Sequence, residues 1–468
     1  MGKQEKLVKN LIFFTIGNFA SKLLSFLLVP FYTAVLTTAE YGVADMITTT
    51  VNLVLPIFSL LIYEAVLRFA LDNDSDKKSV FSVGVYTVIV GSVLLAAASQ
   101  ILRFFDSYKE YVSLFILCYV SIVFYNLILQ FVKGIEKTIL YSAAGVINTF
   151  LFLGCNIVFV LLLKWGAKGY ILSFIVGHAV SAIIAFAAAK LNRYIIPPKS
   201  IDSAYYKDMI AYSWPMIPNA ISWWISNSSD RYMVTYFCGL SANGIYSVAY
   251  KIPSILTVIL NIFIGAWQIS AVEDFGSEES KKFYSDIYKK YETVLFVGSA
   301  GIIGVTKILA KLLFSAEFYN AWSFVPILVL AFVFNSLSAF YGSVYTSAKE
   351  TKMLMKSTVI SAVLNIIVNF ILIPKMGPTG AAIATLISYI ALWLIRAIDS
   401  KRIIRIEVDT LKNIIMFSVL FAECIFICMD MNPYYIVSGI SILIVVAICF
   451  KDLLGIVKPV FRKIFNKR

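Results

Sequence analysis

The feature that most constrains this chain is an apolar run about 18 or more residues long that recurs from one end to the other. FSVGVYTVIVGSVLLAAASQIL (81–102) is typical. Each such run is long enough to cross about 30 Å of hydrocarbon as a helix. Lipid offers no hydrogen bonds to an open backbone, so helix is the natural reading, and the alternation of a transmembrane barrel strand is absent. Composition agrees: 60% of residues are hydrophobic, 14% are charged, and the mean hydropathy is +0.84. A soluble chain carries about 25% charge. The sequence therefore predicts an all-α polytopic membrane protein of about 14 transmembrane helices. The runs fall near 10–36, 42–67, 80–102, 111–132, 140–163, 168–189, 208–237 and 244–268, then 291–313, 320–346, 355–374, 378–398, 411–429 and 433–450. The seventh is unusually polar, with Trp214, Pro215, Pro218, Asn219 and residues 227–231 inside it. The first run is too long for a signal peptide and lacks a small-residue cleavage site, so it is expected to remain as the first span. All six cysteines lie inside apolar runs. They read as small buried hydrophobes, and neither disulfides nor a metal centre is expected.

Charge orients the spans. If both termini face the cytoplasm, Lys and Arg should concentrate in every second loop. Thirty of the forty fall on the proposed inner side and seven on the outer, leaving Lys22, Arg231 and Lys251 at membrane depth. An even number of spans with cytoplasmic termini follows. The net charge of +13 is thus orientation, and nucleic acid is not an expected partner. The tail KDLLGIVKPVFRKIFNKR (451–468) reads either as an ordinary positive flank or as a basic amphipathic stretch on anionic headgroups.

Two segments share a register. LLLKWGAKGYILSFIVGHAVS from Leu161 aligns with LIPKMGPTGAAIATLISYIAL from Leu372, so that Lys164 meets Lys375, Gly166 meets Gly377 and Gly169 meets Gly380. A weaker pair is NFASKLLSF from Asn18 against NAISWWISN from Asn219. The chain is expected to hold two pseudo-symmetric six-helix bundles, residues 1–200 and 201–405, with two extra helices and a basic tail in 406–468. Parallel repeats of this kind build transporters that work by alternating access. The longest stretches outside the spans, near 190–207 and 270–290, leave no room for a soluble catalytic domain. An enzyme is not expected.

Ionisable groups at membrane depth need a reason, since each costs about 2.5–3.5 kcal/mol on insertion scales. Lys22, Arg231 and Lys251, with Asn18 and Asn219, are candidates for an electropositive site that takes an anionic group. Asp230 belongs with them, or else neutralises Arg231 or Lys251 in a purely structural link. Glu64 and Arg68 lie four apart and read as an i,i+4 pair, with Glu64 also a candidate coupling group. Glu423, deep in the thirteenth run, is either a coupling site or a hydrogen-bonded structural acid. His178, the lone histidine, reads as a helix-packing residue. Trp223 and Trp224 are candidates for stacking on a sugar.

Four stretches carry a family resemblance: LVPFYTAVLTTAEYGVADM (Leu28–Met46), YEAVLRFA (Tyr63–Ala70), SSDRYMVTYFCGLSANGIYSVAYKIP (Ser228–Pro253) and VLNIIVNFILIPKMGPTGAAIATLISY (Val363–Tyr389). With them the chain resembles the polysaccharide transport (Wzx-type) flippase family, within the superfamily that also holds the lipid II flippase and multidrug exporters. The resemblance implies translocation of polyprenyl-diphosphate-linked oligosaccharides across the bacterial cytoplasmic membrane. It implies membrane lipids and other polysaccharide-assembly proteins as partners, no cofactor, and a proton or sodium gradient as the energy source. Lys22 occupies a place similar to cavity-facing basic residues on the first helix of the lipid II flippase, although the local motif differs. A lipid II or teichuronic-acid flippase, a cation-coupled exporter, and a membrane polymerase or acyltransferase are the alternatives.

Overall fold

The computed structural model describes residues 26, 28–72, 74–104, 109–256, 278–348 and 350–465, with side chains for all of these but 278–280, 351 and 456–465. Among them there is helix and turn, and no strand. The chain divides into two compact units, Met1–Ser228 and Ser229–Arg468.

The first unit holds α1 (Val29–Val35), α2 (Thr38–Ser59), α3 (Ile62–Ala70), α4 (Lys77–Ala98), α5 (Val112–Gly134), α6 (Thr138–Asn156), α7 (Gly166–Ala189), α8 (Ser203–Ser213) and the start of α9 (Ile217–Cys238). The second holds the rest of α9, then α10 (Leu240–Ala249), α11 (Glu278–Gly304), α12 (Thr306–Leu313), α13 (Val325–Ser347), α14 (Thr351–Met376), α15 (Pro378–Asp399), α16 (Thr410–Cys428) and α17 (Tyr434–Phe465). Ten described helices are long and apolar enough to cross a membrane, and an eleventh crossing is α11 with α12, bent by 63° at their junction. The other expected spans are the first run, mostly outside the described residues, the polar α9, and the eighth run, which is described only in part.

Helix starts follow from local chemistry. Thr37 and Glu40 form a capping box at α2: the Glu40 N–H donates to Thr37 Oγ1 (3.2 Å) and the Thr37 N–H to Glu40 Oε2 (2.9 Å). Asp76 caps α4, Asp202 caps α8 and Asp409 caps α16 through side-chain oxygens.

One expected helix is two. The second run breaks at Leu60 and Leu61, both left-handed at φ 51° and 50°. Pro56 has no N–H for the ladder. Ser59 Oγ then donates to the Leu55 carbonyl (2.6 Å) and accepts from the Leu61 N–H (3.1 Å), so the break satisfies its backbone locally. Each left-handed leucine costs on the order of 1–2 kcal/mol.

The shared glycines do the same work in each unit. Gly166 (φ 55°) opens α7 and Gly377 (φ 58°) opens α15, both in a conformation that favours glycine. Three residues on, a Cβ at Gly169 would lie 2.9 Å from the Phe159 carbonyl oxygen, and one at Gly380 would lie 2.5 Å from that of Leu372. Only hydrogen fits where the two helices of each hairpin cross.

In the second unit α13 is the central helix, with 83% of its apolar window buried against α15, α11 and α16. α17 lies at the edge and exposes Ile436, Ile440, Leu443 and Ile448.

Candidate functional site

Lys22 and Asn18 lie outside the described residues. Of the remaining expected site residues, Asp230 and Arg231 stand together on α9. Asp230 is 3% exposed. Its Oδ2 accepts from the hydroxyls of Tyr246 and Tyr250, each at 2.7 Å, and its Oδ1 accepts from the Arg231 backbone N–H at 2.9 Å. The two hydroxyls are 3.2 Å apart. The Arg231 guanidinium carbon sits 5.3 Å from the centre of the Tyr250 ring, a cation–π distance. A buried carboxylate held by three donors is an ordered group, and the Arg231 cation stands on an aromatic face beside it.

The same part of α9 reaches α14. Ser229 Oγ donates to Asn365 Oδ1 (3.4 Å), which also accepts from Asn369 Nδ2 (2.9 Å). Both asparagines are at most 2% exposed. Ser247 Oγ donates to Asn243 Oδ1 on α10 (3.3 Å). Hydroxyl and amide groups thus link α9 to α14 at the residue preceding the acid, and α10 carries a further such pair, inside the second unit.

Lys251 follows Tyr250 and is half-buried, with no ion-pair partner among the described residues. Asn219 is exposed near the start of α9, within the first unit. Trp223 is 45% exposed, whereas Trp224 Nε1 donates to the Thr49 carbonyl (3.0 Å).

Glu64 does not pair with Arg68. Its Oε1 accepts from Gln130 Nε2 on α5 at 3.4 Å, and Arg68 is exposed. Both residues lie on α3, as their spacing predicts, but the carboxyl meets an amide donor of α5 instead. His178 Nδ1 lies 2.8 Å from the Phe174 carbonyl, with Tyr125 edge-on to its ring at 4.9 Å. It is packed between helices.

Glu423 is 0% exposed, and among the described residues neither carboxyl oxygen has a hydrogen-bond partner. A second buried acid escaped the sequence reading. Glu292, 4% exposed on α11, accepts from Asn413 Nδ2 at 2.6 Å. It sits at the polar start of its run, where a carboxylate reads as solvated. Tyr246 and Tyr250, four apart on one helix face, were the available signal for the Asp230 clamp. Among the described residues no group of three or more His, Cys, Asp or Glu is placed to hold a metal ion.

Residues 7–268 match the family described as polysaccharide biosynthesis protein. Among curated relatives, the probable low-salt glycan biosynthesis flippase Agl15 of Haloferax volcanii is 24% identical over 266 residues, 54% of this chain and 55% of that protein. The uncharacterized membrane protein MJ1068 of Methanocaldococcus jannaschii is 24% identical over 212 residues, 42% of each. The chain thus spans about half the length of the curated relatives it matches. Among solved structures, lipid II flippase MurJ in an inward closed conformation superposes with a TM-score of 0.70 at 15% identity, covering 95% of this chain and all of that one. An inward-facing multidrug resistance MATE transporter superposes at 0.62 with 14% identity, covering 81% of this chain and 97% of that one. These likenesses are of fold. With more than half of its length matched by one family, and with a multi-span helical fold shared with flippases and exporters, the chain belongs to the polysaccharide biosynthesis protein family of membrane proteins.

Proposed function

We propose that this protein is a flippase. Its cargo would be polyprenyl-diphosphate-linked oligosaccharide repeat units, carried across the bacterial cytoplasmic membrane by alternating access for surface-polysaccharide assembly. The observation that carries this reading is the family match over residues 7–268 on a chain built almost wholly of spanning helices. Cations at depth support an anionic cargo. A diphosphate carries several acceptor oxygens, and Arg meets them in a bidentate way while Lys acts as a point charge. Arg231 and Lys251, with Lys22, are the residues assigned to this contact, and Asp230 with its tyrosine clamp orients Arg231. Membrane lipids surround the spans, and proteins of polysaccharide assembly are the expected neighbours.

A second reading, a lipid II flippase, is favoured by the fold likeness to MurJ over 95% of the chain. One experiment addresses both. The purified protein in liposomes is given a fluorescent polyprenyl-diphosphate oligosaccharide or a fluorescent lipid II, and an impermeant quencher reports which molecules reach the outer leaflet. The repeat-unit analogue should exchange faster than in empty liposomes, and the Arg231→Ala and Lys22→Ala variants should slow it at least tenfold while inserting normally. Exchange of lipid II alone would select the second reading. Exchange of neither would sink both.

A further inference from the structure

The helices α11, α16 and α17 meet along a polar seam. On α17 the buried positions Tyr434, Ser438, Ser441, Val445 and Cys449 fall every three or four residues and form one stripe. α16 brings Asn413 and Glu423 to this seam, and α11 brings Glu292, Thr293 and Ser299, all under a tenth exposed. Hydroxyls between spanning helices ordinarily bond the carbonyl one turn back, as Ser285 and Thr306 do here at 2.7 and 2.8 Å. Thr293, Ser299 and Ser438 do not. Among the described residues their hydroxyls have no hydrogen-bond partner, and the same holds for both oxygens of Glu423.

Glu423 also sits against a break. Gly304 ends α11, and the span turns by 63° into α12. A Cβ on Gly304 would lie 3.1 Å from Glu423 Oε1 and 3.2 Å from the Ser438 Cβ. The acid therefore fills the space that glycine leaves at the bend.

Few groups face it. Gly304 on α11 and Ser438 on α17 carry no charge. The titratable side chains of α13 are Tyr341 and Tyr345 alone, and on α16 itself Cys424 and Cys428 follow. Toward one rim lie Tyr434 and the Lys307–Asp430 ion pair. Toward the other lie Glu292 and Asp452, the latter bridging Lys289 and Lys412 at 3.1 and 2.7 Å. Asn413, which binds Glu292, stands about 15 Å from Glu423 along α16 at 1.5 Å per residue. Among the described residues no cation touches Glu423, so a bare carboxylate would be an uncompensated charge in a low-dielectric interior. Glu292, with its amide donor, has no such need.

We propose that Glu423 is a proton-binding site whose gain and loss of a proton works the break between α11 and α12, and so couples transport to a proton gradient. In the neutral form the carboxyl packs against Gly304. On ionisation its O–H bond breaks, the proton passes to a hydroxyl or water of the seam, and the electron pair stays as carboxylate. That charge draws water toward the bend and loosens α11 from α16. A proton taken up from the other side restores the packed form. The coupling half of this proposal rests on the flippase reading; the proton site does not.

Dicyclohexylcarbodiimide tests the site directly, because it forms a stable adduct with protonated carboxyls in apolar surroundings. The full-length protein in liposomes should acquire the adduct at Glu423, located by peptide mass spectrometry, with a yield that falls as pH rises. The Glu423→Asp variant should keep a pH-dependent adduct at that position. Absence of an adduct at every pH, or a yield that ignores pH, overturns the proton site. In the flipping assay an imposed pH gradient should accelerate the wild type, and Glu423→Gln should lose that acceleration while still inserting and flipping without the gradient. A full response in Glu423→Gln overturns the coupling. If the wild type flips nothing, the flippase reading and the coupling built on it fall together, and the adduct alone decides the proton site.

Discussion

Arg396 carries a charge into the core of the second unit and meets only uncharged acceptors. It is 2% exposed on α15. Its Nε donates to Ser357 Oγ (3.0 Å), Nη1 to the Ser338 carbonyl (3.0 Å) and Nη2 to Thr358 Oγ1 (2.9 Å). One side chain thus ties α15 to α13 and α14. Hydrogen bonds to a charged group contribute about 1.5–3 kcal/mol each, and buried acceptors left unpaired cost about 1–3 kcal/mol. Arg396→Ala is expected to lower stability by about 3 kcal/mol or more, and Arg396→Lys to recover part of it. Thermal unfolding of the detergent-purified variants checks this, and an unchanged midpoint for Arg396→Ala would show the tie to be dispensable. In the sequence this arginine stands near the end of an apolar run and reads as a solvated flank. Only the acceptors folded around it reveal burial. The same holds for Glu292. Asp230, by contrast, stands out from the sequence because it lies within an apolar run, whereas the tyrosine pair that holds it is a weak signal in a chain with 27 tyrosines.

Helices and their turns were more legible than these contacts, because hydrophobic runs and caps are local. Asp76 shows both stability and its pH dependence at an element's start. Its carboxylate accepts from Lys78 N (3.1 Å), Ser79 N (3.1 Å) and Ser79 Oγ (2.6 Å). Partial desolvation alone would raise this carboxyl, but the hydrogen bonds from Ser79 and Lys78 outweigh it and hold the group below the usual aspartate range. A value lowered by folding means the stabilisation is fully present above the ordinary aspartate range and is lost as pH falls through the lowered value. Asp76→Ala should cost about 1 kcal/mol near neutrality, while Asp76→Asn, also a good cap, should keep most of the stability and lose its dependence on acid. Melting midpoints across an acid titration distinguish the three proteins; identical acid profiles for Asp76→Asn and the wild type would refute the assignment. The hairpin glycines give a second comparison. Gly377→Ala forces alanine into φ 58°, ψ −142°, a region essentially restricted to glycine, and Gly380→Ala drives a Cβ into the Leu372 carbonyl, 2.5 Å away, so both should lower the melting midpoint. Gly154, with nothing within 4 Å of its Cβ position, should accept alanine without loss. Equal melting midpoints for all three would remove close helix approach as the reason for the shared register. The break inside the second run was not legible, because Pro56 lies four residues before it and the left-handed pair is leucine, a residue that seldom adopts that conformation.

At the scale of the whole chain the question is which rim faces the cytoplasm, and contacts within each unit constrain the parity. In the first unit the start of α4 meets the segments after α7: Tyr205 accepts from the Asp76 N–H (2.8 Å), and Ser82 Oγ donates to the Tyr194 carbonyl (3.0 Å). Residues 76–82 and 194–205 therefore share a rim, as four crossings between them require. At the opposite rim Lys168 pairs with Glu110 (3.0 Å). In the second unit Lys281 pairs with Glu407 (2.9 Å), again four crossings apart if α11 and α12 are one bent span. Lys412 and Lys289 meet on Asp452, while Lys307, over the rings of Trp322 (4.3 Å) and Tyr434 (4.1 Å), pairs with Asp430 at the far rim. These contacts sort residues into two rims, and the Lys and Arg excess then predicts which rim of each unit faces the cytoplasm. The prediction is sharp because one label site lies on α4 at its start and the other beyond its far end, just before α5. In a variant lacking the six native cysteines, Lys78→Cys should resist an impermeant maleimide applied outside right-side-out vesicles until they are permeabilised. Glu110→Cys, whose exposed ion pair contributes little, should react at once. Reversed labelling would invert the topology of the first unit, since its rims are tied together by the contacts within it. Equal labelling of both would show that α4 does not cross, and with it the even count of spans would fall.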